Sequence, residues 1–597
     1  MMGRNVRGLY LSRIKRFSQE LNDKNKRIAI ISYFRLFIFL VMSSSFYFGY
    51  KSHDGISVYT VTVISLFIFI LLIVVHSRLF KRIAQLKRLI LINENGVKRM
   101  DDEWRTFEDT GADFIDDAHP FSYDLDVFGK SSIFQYINTT YTFLGRQKLA
   151  AKLCDGSTDI ANSQKAVDEL SGMIDFRQNI ELKTANITNK SPNDFIDWLE
   201  IKTVNIVGSH VAKVIRILPV ISLLVLLLDL LVFHTVVVPL FFYTIQSIIY
   251  LYYKKKTIAY FSDVNGIVRL FLAYSNVLGL IESVDFNSAL LKREKEKLFV
   301  EDLSASQRML QLSQISQKSD LRYNQMLHFF INLFFMWDLN CYISARNWKV
   351  SYGQYVRTWL DVVSEFEALS SLAVLRFEHS DWAMPAVNSS ECITANNVKH
   401  PLIHYKKSIG NDFSLKKTNK VSIISGSNMS GKSTFLRTIA TNLLLAYAGA
   451  PVYADGFICG HFSIVTSMRK RDNLSDNIST FYAELLRIKL LLDKSELNKT
   501  FFVIDEIFSG TNSIDRIDAA TMILNQLSIK KCCGMVSTHD LELCTYATHH
   551  PEHFANFHFR EHYVNKHIKF DYKIYSGQSE TRNAMHIMKM IGINVTP

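Results

Sequence analysis

Gly426-Ser427-Asn428-Met429-Ser430-Gly431-Lys432-Ser433 satisfies every fixed position of the pattern G-x-x-x-x-G-K-[ST]. The glycines let backbone N–H groups close around phosphate oxygens. Lys432 brings a point charge to the β/γ phosphates, and Ser433 offers a hydroxyl to Mg²⁺. The flanks suit that chemistry. Val421-Ser422-Ile423-Ile424 reads as a short buried strand, and Thr434 to Tyr447 as a helix whose N-terminus faces the phosphates. The stretch predicts binding of a nucleoside triphosphate, ATP with Mg²⁺.

A second apolar run, Phe501-Phe502-Val503-Ile504, ends in Asp505-Glu506, 73 residues beyond Lys432 (505 minus 432). A buried strand would deliver both carboxylates to its C-terminal edge. There Asp505 would hold Mg²⁺ through water and Glu506 would orient and deprotonate the attacking water. Gly534-Met535-Val536-Ser537-Thr538 reads as a further strand leading into His539. A lone histidine is usually structural; this one is placed to sense a γ-phosphate. Glu506, His539 and Lys432 are therefore the expected catalytic set.

The same segments resemble the MutS family. Ser425 to Thr434, with Asn428-Met429 between the glycines, is similar to its nucleotide loop. Asp505-Glu506-Ile507-Phe508-Ser509-Gly510-Thr511 resembles its Asp-Glu-Ile-x-x-Gly-Thr, and Ser537-Thr538-His539 its Ala/Ser-Thr-His. Asp472-Asn473-Leu474, Ser479-Thr480-Phe481 and Glu484 resemble its signature segment. Lys399-His400-Pro401-Leu402 with Asn411-Asp412 match the approach to that domain, and Asn583-Ala584-Met585-His586 to Gly592 its closing helix. The resemblance implies a dimer in which Ser479 of one copy reaches the γ-phosphate held by the other. Ser427 stands where the family usually has proline, Ser430 where it has glycine. Asn477 and Ile478 stand where bacterial relatives often carry Gly-Arg, which removes a positive charge from the contact between copies.

Elsewhere the likeness is weaker. Ser132 to Thr140 with Thr142, Gly145, Leu149 and Leu153 resembles the start of the family's helical core, and Phe366 to Ala373 with Pro385 its end. The fold expected is an α/β phosphate-loop ATPase domain of ABC/MutS type over 387–597, preceded by an all-α core and lever-like domain. Two membrane hairpins interrupt the latter. The divisions are a basic N-terminal tail (1–27), hairpin 1 (28–76), a linker helix (77–120), a core-like region (121–216), hairpin 2 (217–253) and a lever- or clamp-like region (254–386).

The hairpins follow from composition. With 48% hydrophobic residues, the apolar excess gathers in Ile28–Tyr50, Ser57–His76, Ile217–Phe233 and Val236–Tyr253. Each approaches the roughly 20 residues that cross a ~30 Å hydrocarbon layer. Residues 1–27 hold eight Lys/Arg, Arg78 to Arg88 five more, and Lys254-Lys255-Lys256 follow the second pair. The positive-inside rule then places both termini and the ATPase domain in the cytoplasm of a multi-pass inner-membrane protein. Arg35 is expected to snorkel to a cytoplasmic end, and Asp229 to the outer end of its span or into a helix–helix contact. A second apolar run close behind the first argues against a cleavable secretory signal.

The seven cysteines lack metal-site spacing and suit a reduced compartment. The net charge of +12 admits nucleic acid, but much of it flanks the spans, where anionic lipid accounts for it. DNA as a partner is implied by the resemblance alone. Residues 1–110 show no domain carrying a Phe-x-Glu wedge, so no preference for mismatched DNA is expected. Two other readings are an ABC-like transport ATPase, against which this chain has no Leu-Ser-Gly-Gly-Gln segment before Asp505, and a nucleotide-switched membrane sensor or defence protein.

Overall fold

The computed structural model describes residues 6–578 apart from 53–54, 188–195, 198, 200–206, 263–267, 301–302, 320, 322–324, 390–391, 417–419, 428, 470–479, 498, 509–512, 531 and 565–566. Asn428, the segment from Asp472 to Ser479, Ser509 to Thr511 and the closing helix at 583–592 lie outside the described residues. The chain forms two compact units: residues 1–108 with 377–381, and residues 109–376 with 382–597.

The first unit is an antiparallel pair, α1 (Val6–Ser52) and α2 (Gly55–Met100). The expected basic tail is therefore helical from Val6, and α2 carries on through much of the expected linker. The polar halves are tied by Arg7 to Asp101 at 2.9 Å and Arg82 to Glu20 at 2.9 Å. Glu378, from the 377–381 stretch of the same unit, accepts from Tyr10 and Arg99, both at 3.0 Å. The apolar halves face outward: only 6% of the most apolar window of either helix is buried. The Arg35 guanidinium meets His76 Nδ1 at 2.5 Å and lies over Phe69, a polar contact across the pair.

The second unit begins with short capped helices. Ser132, Thr142 and Asp159 accept backbone N–H groups at the starts of α3 (Ile133–Ile137), α4 (Phe143–Asp155) and α5 (Ile160–Gly172). Next come α6 (Ile174–Thr184), α7 (Ser209–Leu228), α8 (Val237–Ser262), α9 (Val268–Glu282), α10 (Ala289–Glu296), α11 (Ala305–Ser319), α12 (Gln325–Phe335) and the 42-residue α13 (Trp337–Glu378). Within the 254–386 region α9 packs on α11, and it also packs on α6 upstream.

Buried Glu367 of α13 joins the long helix to the start of α4. It accepts from the Tyr141 and Thr142 N–H groups at 2.9 and 3.2 Å and from the Thr142 hydroxyl. Burial pushes its carboxyl above the usual range despite these donors. A Cβ at Gly145 would meet the Glu367 carboxylate and Thr142. Gly145→Ala should therefore cost about 1–3 kcal/mol of stability, read as a lowered thermal midpoint in detergent.

Among the described residues three helices are long and apolar enough to cross a membrane, Val6–Lys51, Tyr59–Met100 and Ser209–Val232. The fourth expected span, 236–253, is not one of them. In α8 the apolar residues are diluted by Tyr243, Thr244, Gln246, Ser247 and three further tyrosines before Lys254. Instead α12 and α13 together are long and apolar enough to cross, as a pair bent by 73°. Asp229 lies at the end of α7, at the turn between α7 and α8. It caps the turn after α7, accepting from Thr235 N, the Thr235 hydroxyl and Val236 N at 3.2, 2.6 and 2.9 Å.

The C-terminal region is α/β. One sheet contains β1 (Ala386–Asn388), β2 (Ile393–Val398), β3 (Asn411–Leu415) and β5 (Gly456–Gly460), in the order β1-β5-β2-β3. The other holds β4 (Val421–Ser425), β6 (Ser463–Ser467), β7 (Thr500–Ile504), β8 (Cys532–Thr538), β9 (Phe554–Val564) and β10 (His567–Ser576). Its order is β10-β9-β4-β8-β7-β6, parallel except for the β10 edge. The central strands β4, β8 and β7 are buried along their whole length, as in a parallel sheet covered on both faces. The covering helices are α14 (Lys432–Ala448), α15 (Thr480–Leu497), α16 (Ser513–Ile529) and α17 (Leu541–His549).

Candidate functional site

Parallel pairing of β4 with β8 and of β8 with β7 brings three C-terminal strand ends together: Ser425 opposite Thr538, and Ile504 opposite Val536. The glycine-rich loop, the Asp505-Glu506 pair and His539 each follow one of these ends. Segments more than a hundred residues apart thus share one edge.

The loop is built for close approach. Gly426 and Gly431 have φ of +145° and +106°, conformations that side chains resist, and a Cβ at Gly431 would crowd Tyr572. Gly431 caps α14, leaving Ser433 and Thr434 exposed in the first turn, where unpaired N–H groups and the helix dipole favour an anion. The Ser430 hydroxyl donates to Ser427 O at 2.8 Å, closing the loop on itself. Met429 is exposed with φ +70°.

Buried Lys432 donates to the Gly426 and Ser427 carbonyls, both at 2.8 Å, and lies 3.5 Å from His539 Nε2. Burial lowers its pKa below the usual lysine value, with Asp505, Glu506 and Glu561 opposing that shift.

Glu506 has φ +57°, and its N–H is held by Ser537 Oγ at 2.9 Å. The same hydroxyl donates to Asp505 Oδ1. One serine on β8 therefore orients both members of the acidic pair. Strain of this kind persists where neighbours hold it. Glu506 Oε1 meets His539 Nε2 at 3.0 Å. The loop after His539 is fixed by a two-pronged pair, Arg516 to Asp540, at 3.0 and 2.8 Å. Lys432, Asp505, Glu506 and His539 are thus brought together as the spacing predicts. Ser479 and Asn428 lie outside the described residues.

Two groups of residues are new. A cavity of about 340 Å³ opens beside Gly431 and Thr434, lined by His400, Phe435, Phe559 and Tyr572 among others. Tyr572 sits on β10 with φ +53°, and Asn411 on β3 fixes it by donating to its carbonyl at 3.0 Å. Burial lowers the His400 pKa to about 4, so its ring is neutral. The cavity therefore presents flat, uncharged rings next to the loop.

The second group is Asp124 and Asp126. Asp124 accepts from the Thr466 hydroxyl at 2.7 Å and from Met468 N and Arg469 N at 3.1 and 3.2 Å. Asp126 pairs with Arg437 of α14 at 3.0 Å and with Arg469 at 2.5 Å. A segment far upstream thereby braces both the helix behind the loop and the end of β6. No short-range pattern marks either aspartate, because both partners are more than 300 residues away in the chain.

Fold and site define the class: an α/β domain with a parallel sheet whose strand ends gather a glycine-rich loop, an acidic pair and a histidine. Residues 422–596 match the family model described as MutS domain V. The DNA mismatch repair protein MutS of Ehrlichia ruminantium (strain Welgevonden) is 27% identical over 249 residues, 41% of this chain and 30% of that protein. Its counterpart from Ehrlichia chaffeensis is 26% identical over 344 residues, 56% of this chain and 40% of that protein. Over residues 422–596 the chain is therefore similar to the MutS family. It spans well under half the length of the curated relatives it matches.

Proposed function

We propose that this chain is a membrane-anchored, Mg²⁺-dependent ATPase of MutS type. It would work as a dimer and couple its nucleotide cycle to movement of its helical arms on DNA. The observation that carries the reading is the meeting of Lys432, Glu506 and His539 at one sheet edge, with Asp505 oriented beside them by Ser537.

The loop N–H groups from Gly426 to Gly431, with Lys432, would hold the β and γ phosphates. Thr434 and the start of α14 would face the α side. Ser433 and Asp505 are hard oxygen donors, a set that fits Mg²⁺. The ion would neutralise charge on the phosphate oxygens. Glu506 would take the proton of the attacking water, and His539, held by Glu506 on one side and near Lys432 on the other, would sense the γ position. Ser479 of the second copy would complete the site.

The aromatic cavity fits the base. Tyr572→Ala should weaken ATP binding by about 1–3 kcal/mol, or about 5- to 150-fold. Titration with a fluorescent ATP analogue reads this directly. Unchanged affinity would remove Tyr572 from the site.

DNA as the cargo rests on what the relatives' names say of them. Mismatch repair is named for those proteins; for this chain we expect binding without preference for a mismatch. Binding of the detergent-solubilised protein to matched, mismatched and branched duplexes tests both points. No binding to any duplex would remove DNA, and a clear preference for the mismatched one would overturn the expected indifference. The three helices long and apolar enough to cross a membrane, rich in exposed Phe, Leu and Ile, support the membrane anchor.

A further inference from the structure

We propose that α12 is a half-span: a helix embedded in the lipid beside α7 and α8 that turns back at Met336 without crossing. The inference rests on the membrane reading above and adds an element to it.

Its length argues first. Eleven residues at ~1.5 Å each give about 16 Å, half of a ~30 Å hydrocarbon layer. Its surface argues next. Met326, Phe329, Phe330 and Phe335 are 76, 62, 49 and 46% exposed, and no Lys, Arg, Asp or Glu falls within the helix. Such a face on one short helix is unsuited to water. The surface is also continuous with the neighbouring apolar helices. α12 packs on α7 and α8, with Phe334 edge-on to Tyr243 at 5.2 Å, and exposed Leu224, Leu227 and Leu228 extend the same apolar character along α7.

The polar groups explain why the helix ends where it does. Asn332 Oδ1 accepts from Asp338 N at 3.0 Å, while its amide donates to His328 O at 3.1 Å. His328 Nε2 meets Asp338 Oδ2 at 2.8 Å, and Tyr250 of α8 reaches the same carboxylate at 3.5 Å. These bonds close the break around Met336, whose φ of +46° would be unfavourable without them. Backbone and side-chain polar groups at the turn are therefore satisfied internally, as burial in hydrocarbon demands. Met336, Leu339 and Tyr342 then pack under Ile215 of α7, seating the turn. Lipid acyl chains are the occupant that this surface fits.

The test is collision accessibility of a nitroxide at position 330 (Phe330→Cys) in full-length protein reconstituted into phosphatidylcholine/phosphatidylglycerol vesicles. Cys154 and Cys392, both partly exposed, are replaced by Ser. Labels at Leu224→Cys and Asp285→Cys serve as references. The expected result is high contact with oxygen and a several-fold lower contact with a nickel chelate than at position 285, matching position 224. High nickel contact at 330 with position 224 still in lipid would overturn the half-span alone. Low contact with both reagents at 330 would also overturn it, because protein rather than lipid would then cover the face. Nickel contact at 224 as well would defeat the membrane reading itself.

Discussion

Lys432→Ala should lower steady-state ATP hydrolysis by about 10²–10³-fold, the scale for losing one preorganised charge from a phosphoryl-transfer site. In the structure this ammonium is buried against the Gly426 and Ser427 carbonyls. Its hydration has already been exchanged for loop contacts, so little reorganisation is needed to serve a phosphate. Burial also lowers its pKa, leaving it a more easily discharged cation. Activity should therefore fall on the alkaline side at a pH below that typical of an exposed lysine. Release of phosphate, followed with a coupled assay, checks both statements. Hydrolysis within a few-fold of the parent would remove Lys432 from the site.

Glu506→Gln should separate binding from chemistry. The amide keeps the shape and the contact with His539 but cannot accept the proton, so hydrolysis should fall by about 10²–10⁴-fold while ATP affinity is retained. The backbone of residue 506 is set by Ser537 rather than by its own side chain, so the substitution should leave the strained turn intact. Bound nucleotide recovered from the variant should be ATP; from the parent it should be largely ADP. A variant that turns over normally would show that another group activates the water.

How much of this was legible in the chain depends on the range of each interaction. The loop, the acidic pair and the histidine could be read because phosphate chemistry demands particular residue types at short spacing, each behind a buried strand. Their meeting at one edge then follows from parallel pairing of β4, β8 and β7. Ser537 was visible as a strand residue and as the first member of a Ser-Thr-His motif. Its role in orienting Asp505 and Glu506 depends on register between two strands.

Tyr572, Asp124 and Asp126 lacked any local signal, since each acts on partners distant in sequence. Hydropathy located the apolar runs but not the helices that carry them. α1 and α2 extend tens of residues beyond each run because polar contacts such as Arg82–Glu20 continue the pairing. α12 escaped notice for the opposite reason. At eleven residues it falls short of a span, and only its exposed face and the Asn332–Asp338 turn mark it.

The most direct test of the central claim is the mass of the Glu506→Gln protein in detergent, measured by light scattering with and without ATP and Mg²⁺. The account predicts a nucleotide-dependent shift to a two-copy particle with ATP retained at the sheet edge through gel filtration, and loss of both when Lys432→Ala is added. A particle whose mass and nucleotide content ignore ATP would contradict it.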